Sequence, residues 1–181
     1  EGSESVWPIL FSFFILCLLL IKPIFSTINK IAKEKNYYLL IGISFSASAI
    51  ALYSESLIRG EIAEVVILFY LCPVWGTILA KIILKKNFNI QRYVALILGI
   101  IGLEVILGID KGIIIPTSIS SWMALLGGFT WALGITFFHL SATSRGIEKT
   151  ALTGLMLPFI FILLTLIPGG REIKFDNLIF F

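Results

Sequence analysis

The sequence predicts an all-α polytopic membrane protein with six transmembrane helices. Three observations predict it. First, 58% of the 181 residues are apolar and only 14% are charged, against about 45–50% and about 25% in a soluble domain. A core of this size cannot hide that much apolar surface from water, so the solvent is lipid. Second, the apolar residues fall into six runs, each near the roughly 20 residues that a helix needs to cross hydrocarbon. Third, the basic residues alternate in density from loop to loop. The composition excludes a disordered chain, a disulfide scaffold, a nucleic-acid binder and most soluble enzymes. The alternating pattern of a membrane barrel is absent, which leaves helices as the way to satisfy the backbone in lipid.

The runs cover residues 6–25, 37–58, 64–84, 92–109, 121–140 and 150–167, each bounded by charge, Gly, Pro or Asn. The first is no cleaved signal. It follows the acidic Glu1 and Glu4 and ends in Lys22-Pro23, whereas a signal begins basic and ends in small residues. The odd loops hold ten basic residues (Lys22, Lys30, Lys33, Lys35, Lys81, Lys85, Lys86, Arg92, Arg145 and Lys149). The even loops and the tail hold four (Arg59, Lys111, Arg171 and Lys174). Basic loops stay on the cytoplasmic side, so the odd loops are expected there and the first visible end outside.

Helices in lipid associate through small residues and polar contacts. The second run carries Ser44, Ala47, Ser48 and Ala51 at helical spacing, the fourth Ala95, Gly99 and Gly102, and the fifth Ala124, Gly127, Gly128, Thr130 and Gly134. These seams predict a compact bundle. Glu55 extends the stripe of the second run. It either lines an aqueous path, with a role in proton coupling, or pairs with Arg59 one turn on at the outer headgroup level.

The third run is the most informative. Val66, Tyr70, Pro73, Thr77 and Lys81 fall on one helical face. Pro73 lies near mid-span, removes a backbone donor and clashes with the carbonyl of Phe69, so a kink is expected there. Trp75 is also near mid-span, outside the interfacial belt where Trp usually sits, and projects away from Pro73. In the fifth run Trp131 is mid-span beside Thr130 and Gly134. Either it lines a cavity or it fills packing space. Trp7 and Trp122 suit the outer belt, and His139 falls at the headgroup level where the fifth run ends. Pro158 is expected to kink the sixth run. Glu104 lies about 18 Å from the cytoplasmic end of its helix. A carboxylate there costs about 2.5–3.5 kcal/mol on insertion scales. It is either a proton-coupling group or a tolerated residue, since it projects opposite the Ala95, Gly99 and Gly102 seam.

No catalytic motif, no paired carboxylates and no metal-ligand spacing occur. Cys17 and Cys72 sit inside apolar runs as small buried residues. The expectation is a protein with no catalytic residues, no metal and no cofactor.

The order of these features resembles the EamA-like family of the drug/metabolite transporter superfamily. The resemblance rests on Ala51-Leu52-Tyr53 with Ser54 to Leu57, then Leu71-Cys72-Pro73-Val74-Trp75, Ile83-Leu84-Lys85-Lys86, Gly99-Ile100-Ile101-Gly102, and Trp131-Ala132. It departs where the family usually has a Leu-Gly-Glu turn, here Leu84-Lys85-Lys86, and at Glu104, where the family's helix is apolar.

The resemblance implies a bundle of ten helices in two inverted repeats of five, with this chain holding helices two to seven. Residues 1–109 would be most of the first repeat, 110–119 an outer loop and 120–181 the start of the second. One further span before Glu1 and about three after Phe181 are expected. The implied activity is secondary transport of small metabolites, often outward, by alternating access. The family lines its cavity with its third and fourth helices, which favours Tyr53, Tyr70, Pro73 and Thr77; Trp75 and Trp131 join them from the reading of the runs. The expected partners are a small-molecule metabolite and the lipid bilayer, with a homodimer also carried and no nucleic acid. A non-transporting assembly protein and a membrane-bound transferase stand as the alternatives.

If Glu104 carries a coupled proton, Glu104→Gln removes the pH dependence of transport between about pH 5 and 8. Normal transport by that variant across this range takes Glu104 out of the role.

Overall fold

The computed structural model describes residues 11–12, 14–15, 18–22, 24–25, 27–28, 36–87, 89–107, 116, 118–141 and 145–165. The described residues between 11 and 28 are helical apart from a turn at Leu20. Six helices follow: α1 (Tyr37–Arg59), α2 (Ile62–Phe69), α3 (Cys72–Ile82), α4 (Ile90–Leu107), α5 (Ile119–Leu140) and α6 (Gly146–Thr165). No strand occurs among the described residues. Among the described residues four stretches are long and apolar enough to cross a membrane: Tyr37–Arg59, Ile62–Ile82, Ile119–Leu140 and Gly146–Leu163. The second of them is α2 and α3 together.

The helix ends are built from residues that satisfy orphaned backbone groups. Asn36 caps α1 by accepting from the Leu39 N–H at 3.3 Å, and its amide donates to Ser141 Oγ at 3.0 Å. One side chain thus caps α1 and ties it to the end of α5. Ser118 caps α5 by accepting from the Ser121 N–H at 3.1 Å. Lys149 donates to the Phe138 carbonyl in the last turn of α5 at 2.8 Å, which places a cation at the negative end of that helix.

The centre of the bundle is α5, which packs along α1 and also touches α2 and α3. The α1–α5 contact is close enough to exclude side chains. A methyl group built on Gly134 would lie against Ser46 Oγ, and 3.1 Å from the Gly42 carbonyl. One built on Gly42 would lie 2.6 Å from a Phe138 ring carbon. Without a hydrophobic drive between helices in lipid, such close packing is what holds them. The other side of α1 places Ala47 and Ala51 against Leu157 and Phe161 of α6. At one end of the bundle Val65 and Leu68 of α2 pack on Ala124 of α5, with Tyr53 and Leu57 of α1 beside them.

This arrangement alters two of the predicted seams. In α1, Ala47 and Ala51 are buried as expected, but Ser44 and Ser48 are only half-buried. Their hydroxyls donate to carbonyls of their own helix, Leu40 at 3.0 Å and Ser44 at 2.8 Å. The face toward α5 is formed instead by Gly42, Ser46 and Ala49, so α1 is packed on two sides. In α4 nothing described lies within 4 Å of a methyl group built on Gly99 or Gly102. That seam is unpaired among the described residues. The Trp7, Cys17 and 110–115 expectations lie outside them. Pro158 falls inside α6, and Trp122 is exposed.

The turn after α3 carries the one positive φ of a non-Gly residue among the described residues, Lys85 at 51°. The chain folds back there, and the Lys86 N–H donates to the Ala80 carbonyl at 3.2 Å. A left-handed residue with a Cβ costs about 1–2 kcal/mol. Lys85→Gly should therefore raise stability, by up to about 1 kcal/mol after the extra freedom of unfolded glycine is subtracted. Thermal unfolding of the purified protein in detergent checks this.

Candidate functional site

The site begins with the missing donor of Pro73. The proline has no N–H to offer the carbonyl of Phe69, four residues earlier. The helix accordingly stops at Phe69, turns through Tyr70 and Leu71, and restarts at Cys72. Pro73 falls in the first turn of the new helix, where a missing N–H matters least. The ladder resumes with the Val74 and Trp75 N–H groups, both donating to Leu71, at 3.0 and 3.3 Å. The expected kink is thus an interruption of the hydrogen-bond ladder between two helices, across which Tyr70 (φ −72°, ψ 2°) and Leu71 (φ −69°, ψ −5°) keep a backbone close to helical.

Around the break the chain gathers aromatic rings. Phe69 tilts against Tyr53 of α1 with ring centroids 4.1 Å apart, and Tyr70 meets Phe69 edge-on at 6.1 Å. One turn on, Trp75 meets Phe129 of α5 edge-on at 5.6 Å. The Trp75 indole nitrogen is buried and has no hydrogen-bond partner among the described residues. A buried donor left unmatched costs about 1–3 kcal/mol. Thr77 is buried and turns its hydroxyl back to the Pro73 carbonyl at 2.9 Å.

The predicted site residues are thereby partly brought together. Tyr53 and Tyr70 both touch Phe69. Tyr70 and Pro73 are exposed, Trp75 is half-buried and Thr77 buried. The expected common face of Tyr70, Pro73 and Thr77 is therefore not uniform: the first two are uncovered at the break, and the third is covered one turn further along. Trp131 is half-buried on α5, with no ring contact to the cluster among the described residues. The side chain of Glu104 lies outside the described residues; its backbone belongs to α4. Phe129 was not singled out in the sequence, and Phe69 was named there only for its carbonyl. The signal for Phe69 was its place four residues before Pro73.

A second polar group lies at the Arg59 end of α1. Glu55 is buried and accepts from Arg59 Nε at 2.6 Å, which is the pairing reading of the two open in the sequence. Close by along the chain, Glu64 of α2 accepts from Ser121 Oγ of α5, and Ser118 Oγ is bonded to Ser120 and Ser121. A methyl group on Gly60 would meet the Ser120 side chain at 2.6–2.8 Å. This end of α1 and α2 is therefore closed onto the start of α5 by hydroxyls and a carboxylate. Among the described residues no group of three or more His, Cys, Asp or Glu could hold a metal ion.

A bundle of apolar helices long enough to span, one of them broken at mid-span by proline, defines a multi-pass integral membrane protein. A family model described as the EamA-like transporter family matches residues 3–108. The chain belongs to that family, which is part of the drug/metabolite transporter superfamily and consists of membrane transporters rather than enzymes. No curated protein and no solved structure matches. The matched stretch runs from before the first described residues through α4 and leaves α5 and α6 beyond it.

Arg59→Gln strands a buried carboxylate and should cost about 1–3 kcal/mol. The double variant Glu55→Gln with Arg59→Gln should cost less, because no charge is then left unpaired. Thermal unfolding of the three proteins in detergent gives the comparison.

Proposed function

We propose that the chain forms helices two to seven of a ten-helix carrier that exports small metabolites by alternating access between two inverted repeats. The observation that carries this reading is the broken span. Backbone carbonyls freed at membrane depth are tolerated where protein or a wet cavity lines them, and transporters build substrate sites from discontinuous helices. The break lies within the stretch matched by the family.

In this reading Tyr53, Tyr70, Pro73, Trp75 and Thr77 form the substrate surface of the first repeat, and Trp131 contributes from the second. The unmatched indole N–H of Trp75 supports a substrate that accepts a hydrogen bond beside aromatic rings. Tyr70 adds a ring and a hydroxyl at the uncovered side of the break. Odd-numbered loops face the cytoplasm, from the excess of Lys and Arg they carry. Glu55 is held by Arg59, so Glu104 is the better of the two carboxylates for proton coupling.

The test is Tyr70→Ala in the full-length protein. Uptake and efflux of a panel of amino acids, nucleosides and cationic drugs should fall at least about tenfold for the transported compound, the loss of roughly 1.4 kcal/mol of binding. The amount inserted in the membrane should stay unchanged. Equal transport by variant and wild type removes Tyr70 from the site.

A further inference from the structure

We propose that Gly128 is a positioning residue of the transport cycle: the absence of its side chain seats the Phe69 carbonyl released by Pro73, so that the break and α5 move as one body. This rests on the transport reading above and adds the element through which the second repeat would hold the break of the first.

Two neighbouring glycines meet the same residue in different ways. A methyl group built on Gly128 would lie 2.6 Å from the Phe69 carbonyl oxygen, 3.3 Å from its carbon and 3.4 Å from its Cα. All three are backbone atoms, which cannot rotate out of the way as a side-chain tip can. A methyl group on Gly127 would lie 3.5 Å from the Phe69 ring, and 3.5 Å from the Ala49 carbonyl and the Tyr53 nitrogen, at ordinary contact distance. Gly127 therefore has room for alanine and Gly128 has none.

The atom that closes the space at Gly128 is the carbonyl whose helical donor is lost to proline. With a donor at position 73, that carbonyl would be drawn into line with the helix axis. Without one it is free to tilt outward, and its oxygen lies against Gly128 of α5. The glycine presents C–H groups to it, a weak but favourable contact. Pro73 and Gly128 are thus complementary, since the proline releases the carbonyl and the glycine makes room for it. Tyr53, tilted against the Phe69 ring with centroids 4.1 Å apart, closes the junction from α1.

The experiment is a double-mutant cycle on the purified full-length protein in detergent, read by thermal unfolding and accompanied by transport in cells. Gly128→Ala should lower the midpoint by about 4 °C or more, and Gly127→Ala should leave it nearly unchanged. Pro73→Ala restores a donor for Phe69, so adding it to Gly128→Ala should recover at least half of that loss. The same change added to Gly127→Ala should act additively. Transport should fall at least tenfold in Gly128→Ala and stay near wild type in Gly127→Ala.

Equal midpoints for the two glycine variants, or a loss in Gly128→Ala that Pro73→Ala leaves untouched, would overturn the seat. Coupled midpoints with wild-type transport by Gly128→Ala would overturn its place in the cycle. If the wild-type protein moves nothing in the panel, the transport reading fails by itself, and the midpoints still decide the seat.

Discussion

The contact between α1 and α5 is the constraint on which the remaining structure depends. Gly42, Ser46 and Gly134 let the two backbones approach until even a methyl group is excluded. In lipid no hydrophobic force pulls helices together, because their alternative neighbour is equally apolar. Dispersion over a long, closely fitted seam is what remains, and it falls away steeply with separation. Once α5 is held to α1 at this distance, Gly127 lies against Ala49 and Tyr53 of α1 and the Phe69 ring, while Gly128 and Phe129 meet the end of α2 and the start of α3. The far side of α1 is left with small residues for α6. The positions of α2, α3 and α6 follow from one pair.

That framework turns a defect into a located feature. A proline in mid-span breaks a helix wherever it lies, but the direction in which the broken ends lean depends on what will receive them. Here the receiving surface is rigid: Tyr53 on one side, the glycine pair on another, and Phe129 one turn on against Trp75. The polar groups at the Arg59 end of α1 do the same for the entry to α2. Glu64 and the serines at the start of α5 tie the start of the α2–α3 span to the same helix that receives its break.

Much of this was legible in the sequence. The ends of the runs fall within a few residues of the helices, because Asn36, Gly60, Pro73 and Ser118 leave physical marks at helix ends. The opposed directions of Pro73 and Trp75 follow from helical arithmetic, and one is exposed while the other is half-buried. The pairing of faces was not legible. In α1 both packed flanks are made of Gly, Ala and Ser, and periodicity states which residues share a face but not which neighbour the face meets. The Ser44 and Ser48 stripe looked like a polar seam because a hydroxyl reads as polar; the helix's own carbonyls absorb it. Phe69 was named only for its carbonyl, since nothing in one sequence says that Gly128 stands opposite. The seam of α4 shows the same limit from the other direction, a small-residue pattern without a described partner.

The turn at Lys85 has a consequence for the end of the broken span. The backbone at this position adopts a positive φ, the conformation glycine accepts without penalty. A lysine holds it instead, at a cost in local backbone energy. With Lys86 next to it and Lys81 one turn back, the turn gathers cations where the span ends. The chain thus places charge at the membrane boundary where a glycine would have given only a relaxed angle.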